Sequence, residues 1–298
     1  MRKLGIIGLI FSMIFNSCVK ELEYPNNQSL ESNVALHAFL NPDSIDVIQL
    51  SKVVNITEDI VGIDNANIEL LNLSSGDKTI MVHKTDGAYN GNITIAQNDI
   101  LSLTVNWNNI QYTAQTYVPV KPILDTVSSK LDFVGSIGFT RVFNFTLKDI
   151  AASTDYYRLY LITQKVVYTL DANSEVIDSS IVWEKSSISG DEIGFIRNSY
   201  NNYTTKELLF SDESFNGLTT SLEFYLTKPE NETNSRLIQH RIVVENLPIE
   251  LFDYYNSRNA HLWQQSSITQ SPTPLRGNIP NMYGVFAAYN LTDYILSY

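Results

Sequence analysis

Hydrophobic and polar residues alternate along much of this chain. The clearest example is residues 101–115, where apolar or aromatic side chains occupy every second position on both sides of Asn108-Asn109. A period of two indicates β-strands, and a two-residue connection of this kind is typical of a β-hairpin. Comparable short runs recur between turn residues. They predict about seven strands and suggest an immunoglobulin-like β-sandwich at residues 33–120.

A proline-rich break follows this region. Pro119 and Pro122 cannot donate a hydrogen bond to a strand ladder, so the sequence predicts a domain boundary here. Residues 121–298 then predict a second antiparallel β domain with longer strands, such as residues 143–147 and 156–163.

The pattern changes late in the chain. Pro248 follows Asn246 by two residues, which predicts a helix over about residues 247–266 with Asn246 as its N-cap. The expected apolar face of this helix comprises Phe252, Tyr255 and Leu262. The predicted fold is therefore mostly β, with an immunoglobulin-like sandwich followed by a second antiparallel β domain that carries one late α-helix.

Residues 1–17 resemble a lipoprotein signal peptide. Arg2 and Lys3 precede an apolar run of 11 residues, which is shorter than the roughly 20 that a transmembrane helix needs. Phe15-Asn16-Ser17-Cys18 resembles a bacterial lipobox, so we predict lipidation of Cys18 by acyl chains such as palmitate. Several chains together anchor a protein far more firmly than one. The alternative is an ordinary secretory signal with a chance cysteine.

The segment after Cys18 resembles a second sorting signal. Lys20, Glu21 and Glu23 resemble the export signal that sends lipoproteins of Bacteroidota to the outer face of the outer membrane. Residues 18–32 are then an acylated polar tether. We expect a lipid-anchored protein of the outer membrane that faces the cell exterior, although the same residues also suit a merely solvated tether.

Charge narrows the choice of partners. Removing Arg2 and Lys3 with the signal leaves 18 basic residues against 32 acidic ones, a net charge of −14. Nucleic-acid binders need a basic footprint, so this balance excludes nucleic acid as an expected partner. With one cysteine in the whole chain, an intramolecular disulfide is impossible.

The C-terminal region resembles a known family. Residues 274–279 and 284–289, together with residues 210–217 and 112–116, resemble the family called domain of unknown function 4249, lipoproteins of Bacteroidota. The resemblance implies an accessory partner of a TonB-dependent outer-membrane transporter and supplies no catalytic residues. We expect the partner-contact loop to include Pro274, Arg276 and Asn278, since function concentrates in irregular loops.

Other candidate sites give weak signals. The four histidines lack metal-ligand spacing, and no nucleophile elbow is present. Oxygen-bearing side chains at residues 171–178 favour a polar hairpin turn over a calcium loop, since the EF-hand glycine is missing. The tyrosines at 156, 157, 160 and 168 favour packing over a sugar-stacking platform. Asp212-Glu213 favours a loop role over acid–base catalysis.

We therefore expect no catalytic site, no metal site and no cofactor. The first functional hypothesis is a non-enzymatic surface lipoprotein that assists a TonB-dependent transporter in nutrient capture or gating. The alternative is a glycan- or matrix-binding surface adhesin without a transporter. A hydrolase is a third reading that no motif supports. The sequence leaves the ligand open.

Overall fold

A computed structural model describes residues 34–44, 46–53, 59–150, 154–190, 206–228, 234–265 and 273–298. The predicted signal peptide (1–17) and tether (18–32) lie outside these residues. No helix in the described part of the chain combines the length and apolar character needed to span a membrane.

One five-stranded sheet and one four-stranded sheet form the first sandwich. Its consecutive strands are β1 (Val34–Leu40), β2 (Asp46–Lys52), β3 (Asn67–Asn72), β4 (Lys78–Ile80), β5 (Val82–Thr85), β6 (Ala88–Gly91), β7 (Ile100–Trp107) and β8 (Ile110–Tyr117). A late strand, β17 (Tyr283–Ala288), completes it. The strand orders are β17-β1-β2-β6-β5 and β4-β3-β7-β8.

The hairpin predicted at Asn108-Asn109 is confirmed. Strands β7 and β8 pair from Trp107↔Ile110 outward, and Asn108 and Asn109 have φ angles of 49° and 62°. Positive φ at both central residues matches the twist of the flanking strands, and asparagine tolerates it better than most residues. The alternation also behaves as expected, since Leu101, Leu103 and Val105 are buried in the core between the two sheets.

A second sandwich follows. Its strands are β9 (Ile123–Val134), β10 (Gly138–Lys148), β11 (Tyr156–Leu170), β12 (Val176–Lys185), β13 (Ile188–Ser189), β14 (Leu208–Ser211), β15 (Thr219–Leu226), β16 (Ser235–Leu247) and β18 (Asn290–Ser297). One sheet has the order β13-β15-β10-β9. The other has the order β12-β11-β16-β18, with β14 also paired to β11. Aromatic side chains fill the core, where the rings of Phe143 and Phe224 stack at 4.9 Å.

One continuous stretch of chain belongs to both sandwiches. Strand β17 pairs in parallel with β1, and β18 pairs antiparallel with β16. Tyr289 lies between them and donates its amide to the Leu40 carbonyl oxygen at 2.9 Å. The chain therefore crosses from one sheet to the other within a single residue.

Helix α1 (Ile249–Gln265) packs at this crossing. Phe39, on the outward face of β1, stacks on Tyr255 with ring centroids 6.2 Å apart. Phe252 lies 4.7 Å from the ring of Tyr156 in the second sandwich. Leu251, Val285 and Ala287 belong to the same apolar cluster around the helix. The helix thus fills the space between the outer face of one sheet and the end of another.

These observations confirm the predicted fold class: mostly β, in several antiparallel sheets, with a helix late in the chain. Two details of the helix were wrong. Asn246 belongs to β16 and its amide nitrogen donates to the Val120 carbonyl, so it does not cap the helix. Leu262 is 57% exposed, because the buried positions of α1 lie between Leu251 and Ala260 and do not reach its last turn.

The boundary predicted between residues 120 and 121 stays a prediction. The structure adds that the strands before and after it form separate sandwiches, whereas residues 283–288 return to the first one. Residues 33–298 also cluster as one compact unit.

Candidate functional site

The predicted lipidation residue Cys18 and the export residues Lys20, Glu21 and Glu23 lie outside the described residues. Their roles stay predictions that rest on the sequence. The predicted contact loop is described, and we refer to residues 273–282 as the C-terminal loop. It connects α1 to β17.

The middle of the C-terminal loop faces solvent. Pro274, Leu275 and Arg276 are exposed, while the Arg276 amide donates to Ser257 Oγ on α1 at 2.9 Å. The Arg276 guanidinium lies 3.3 Å from the Asp253 carboxylate and keeps 68% of its side-chain surface exposed. The loop therefore holds a fixed backbone against the helix and presents an apolar residue and a cation outward.

Asn278 serves the fold itself. Its amide nitrogen donates to the Phe286 carbonyl at 2.7 Å, and its oxygen accepts from the Phe286 amide at 3.0 Å. The same nitrogen lies 3.3 Å from the Gln115 carbonyl on β8. The side chain thus imitates a strand partner for β17. Its predicted role in partner contact remains untested.

A buried ionic network lies beneath α1, and we call it the Arg158 cluster: Arg158, Lys185, Glu207, Glu245 and Arg258. Glu207 accepts from Arg158 at 2.8 Å, from Lys185 at 2.9 Å and from Arg258. Arg158 also bonds Glu245 at 3.0 Å. The members come from β11, β12, β16, the residue before β14 and the helix. The network therefore fastens the helix to the sheet.

Opposing effects set the charge of the two acids. Burial alone would raise the pKa of Glu207, but Arg158, followed by Lys185 and Arg258, lowers it to about 2. Burial raises the pKa of Glu245, and the charge of Arg158 counteracts only part of that rise. With both acids ionised the cluster would hold three cations and two anions.

Tyrosine rings enclose the cluster. Tyr160 donates to Glu245 at 3.0 Å, and Arg158 donates to the Tyr255 oxygen at 3.0 Å. The Arg158 guanidinium also lies 4.3 Å from the centre of the Tyr255 ring. Such cation–π contacts add to the ion pairs. Each charged side chain of the cluster forms at least one ion pair within it, so the arrangement suits rigidity more than chemistry.

Three carboxylates meet at the end of the second sandwich. Asp149 follows β10, Asp155 precedes β11 and Asp212 follows β14, and one oxygen from each lies within 4.8 Å of the others. Tyr157 Oη donates to Asp149 at 2.9 Å and the Gly217 amide donates to it at 2.6 Å. We refer to these three residues as the carboxylate cluster. All are less than 6% exposed.

The environment of the carboxylate cluster disfavours negative charge. Burial raises the pKa of Asp155 to about 6, the Asn246 side chain lowers it, and the charges of Asp149 and Asp212 raise it further. Burial also raises the pKa of Asp212, with a further contribution from Asp149 that the Asp155 amide partly offsets. Among the described residues, no lysine, arginine or histidine forms an ion pair with the cluster.

A cleft on the second sandwich collects basic residues. Its lining includes Lys165, Lys185, Lys206 and Lys228, opposed by Glu184, which pairs with Lys165 at 2.9 Å. This is a positive surface on an otherwise acidic chain. Its charge suits a small anionic group.

The remaining sequence candidates mostly have structural roles. Asp171 accepts the amides of Asn173 and Glu175, which confirms the predicted polar hairpin turn between β11 and β12. Tyr156, Tyr157 and Tyr160 pack as expected. Each histidine has its own partner, in the pairs His37–Tyr254, His83–Asp64, His240–Thr163 and His261–Thr273.

Sequence reasoning missed both buried clusters. Asp212 is far from Asp149 and Asp155 in sequence, and each of the three resembles a turn acid when read locally. One signal was available at Asp212, since it lies two residues after the apolar run Leu208-Leu209-Phe210. The partners of Glu207 come from three separate elements, and no local pattern indicates them.

A comparison with protein-family models identifies the family of this chain. A family model described as domain of unknown function (DUF4249) matches residues 19–295. The chain belongs to this family. The match confirms the resemblance drawn from residues 210–217 and 274–289. A comparison with curated proteins finds no match. The DUF4249 description states no activity, so function must be argued from the residues.

Proposed function

We propose that this DUF4249 chain is a surface-exposed outer-membrane lipoprotein without enzymatic activity, which assists a TonB-dependent transporter in nutrient capture or gating. The observation that carries the proposal is the lipobox-like Phe15-Asn16-Ser17-Cys18, followed by the basic and acidic residues from Lys20 to Glu23. These residues would provide a lipid anchor and a surface-export signal for the two β-sandwiches that follow.

The architecture supports a binding role. The β17–β18 crossing, helix α1 and the Arg158 cluster tie the two sandwiches together at several points. A rigid body of this kind loses little conformational entropy when it docks on a partner. The exposed C-terminal loop offers Leu275 and Arg276 for such a contact, an apolar residue beside a cation.

The anchor is tested by fractionation. Wild type is expected in the outer-membrane fraction, labelled by acyl-chain incorporation, and cleaved by protease added to intact cells. Cys18→Ala should lose both acyl label and membrane association. Replacing Lys20, Glu21 and Glu23 by alanine should keep the label and remove protease access. Unlabelled wild-type protein would refute the lipoprotein assignment.

The partner is tested by affinity purification from native outer membrane. Tyr298 packs against Arg141, with the guanidinium 4.0 Å from the ring centre, so the tag should follow a flexible linker. We expect a TonB-dependent barrel in stoichiometric amount. A solitary lipoprotein would contradict the transporter role and favour the adhesin.

A matched pair of variants tests the contact loop. Arg276→Glu reverses an exposed charge on the C-terminal loop, while Arg236→Glu makes the same change on β16 in the second sandwich. If the loop contacts the barrel, only Arg276→Glu should reduce co-purification. Equal recovery with both variants would place the contact elsewhere on the molecule.

A further inference from the structure

The carboxylate cluster has the dimensions of a metal site. One oxygen each from Asp149, Asp155 and Asp212 lies within 4.8 Å of the others. Calcium binds oxygen ligands at about 2.4 Å, so two ligands of one ion are at most about 4.8 Å apart. The separations of the three oxygens therefore fall within the range that ligands of a single cation can have.

Two side chains at this site also have oxygens without partners among the described residues. Asp212 is fully buried, and neither of its carboxylate oxygens accepts a hydrogen bond of normal geometry from the described residues. Asn246 is equally buried, contacts Asp155 and has an oxygen without a donor. Buried carboxylates and amides are costly to leave unsatisfied. Two such side chains at one place indicate a missing positive ligand.

We propose that Asp149, Asp155 and Asp212 bind one calcium ion. Every donor is a hard oxygen, which suits calcium and disfavours zinc and copper, whose protein sites draw on histidine or cysteine. Asp149 already accepts from Tyr157 and Gly217. A carboxylate has about four lone-pair sites, so Asp149 keeps capacity for the ion.

The position of the ion would have a structural effect. It joins the end of β10, the start of β11 and the turn after β14, and the Asn246 side chain on β16 contacts Asp155. Asn246 also donates to the Val120 carbonyl at 3.2 Å, in the connection between the sandwiches. The calcium ion would thus tie three segments together next to the junction. This inference does not depend on the transporter role.

The test uses the mature lipidated protein in detergent, stripped with a chelator and titrated with calcium chloride. Calorimetry should give one site per chain. At calcium concentrations about 100-fold above Kd, thermal unfolding should shift upward by about 5 °C. Terbium is a second probe, because Tyr157 hydrogen-bonds a proposed ligand and should sensitise its emission.

Matched variants assign the site. Asp212→Asn should weaken binding by more than about tenfold, since even changes outside the ligand shell commonly cost about 10- to 100-fold. In chelator it should melt at or above the wild-type temperature, because it removes an unsatisfied buried charge. Asp178→Asn makes the same change at an exposed acid on β12 and should bind like wild type.

Several results would overturn the proposal. One is wild-type protein that neither binds calcium nor sensitises terbium, in which case the carboxylates share protons only. Another is binding that survives in Asp212→Asn. If Asp212→Asn fails to fold, Asp155→Asn replaces it, and the wild-type calorimetry alone still decides whether a calcium site exists.

Discussion

Removing the charge of Glu207 tests how firmly α1 is fastened to the second sandwich. Glu207→Gln keeps the size of the side chain but leaves Arg158, Lys185 and Arg258 without their shared anion. Breaking a buried ion pair by removing one partner costs about 3 to 5 kcal/mol. The pKa of Glu207 gives a similar figure, since its fall from 4.5 to about 2 corresponds to about 3 kcal/mol. Glu207→Gln should therefore melt about 6 to 12 °C below wild type.

The pH dependence of the difference identifies its cause. Because the pKa of Glu207 is lower in the folded state, its contribution is fully present above the unfolded value of about 4.5 and is lost as pH falls towards about 2. The stability gap between wild type and Glu207→Gln should halve near about pH 3 and close below about pH 2. Other acids titrate in both proteins, and their effects cancel in the comparison.

Urea denaturation followed by circular dichroism at several pH values measures the gap. Glu69→Gln is the control, because it makes the same change at an ion pair with Lys78 on the surface of the first sandwich. Exposed pairs contribute about 0 to 1 kcal/mol, so this variant should stay close to wild type. Equal losses in the two variants, or a gap that does not vary with pH, would refute the ionic explanation.

Three further predictions concern backbone and loop. Gly284→Ala should destabilise severely or prevent folding, because a Cβ there would lie 1.9 Å from the Leu36 carbonyl oxygen at a φ of 98°; soluble yield and melting temperature measure this. Asn278→Ala should cost about 1 to 3 kcal/mol in urea denaturation, since it leaves both Phe286 backbone groups without their side-chain partner. Asn109→Gly should add up to about 1 kcal/mol, because glycine accepts the positive φ at that turn position more readily.

Controls separate these effects from general sensitivity. Gly76→Ala has a similar positive φ but open space around the new methyl group, so it should be milder than Gly284→Ala. A stable Gly284→Ala protein would contradict the close approach of β17 to β1. Unchanged stability in Asn278→Ala would mean that solvent replaces the amide, and a loss in Asn109→Gly would show that the asparagine side chain supports the turn.

Local patterns predicted what depends on local interactions. The hairpin at Asn108-Asn109 follows from alternation and turn chemistry within 15 residues. The polar turn at Asp171 follows from short-range hydrogen bonds of the same kind. Helix α1 was located to within two residues of each end, because Pro248 and the change of period mark its start. These elements are encoded where they form.

Long-range pairings could not be predicted in the same way. Nothing in residues 283–297 indicates that β17 pairs with β1, whereas β18, which begins two residues after β17 ends, pairs with β16. The carboxylate cluster brings Asp212 to two acids more than 50 positions earlier in the chain, and its members differ from solvated turn acids only through burial. Leu262 shows the converse, since helical periodicity cannot tell where along a helix the covering sheet ends.

The β17–β1 pairing also sets an order of events during synthesis. Ala35 pairs with Tyr283, so one backbone edge of β1 stays unpaired until residues near the end of the chain have been synthesised. Until then the first sandwich has an unpaired strand edge, which is a template for strands of other chains. Contacts of such long sequence separation also form slowly. A ribosome that stops before residue 283 would therefore release a chain prone to aggregation, even though every residue of β1 to β8 is present.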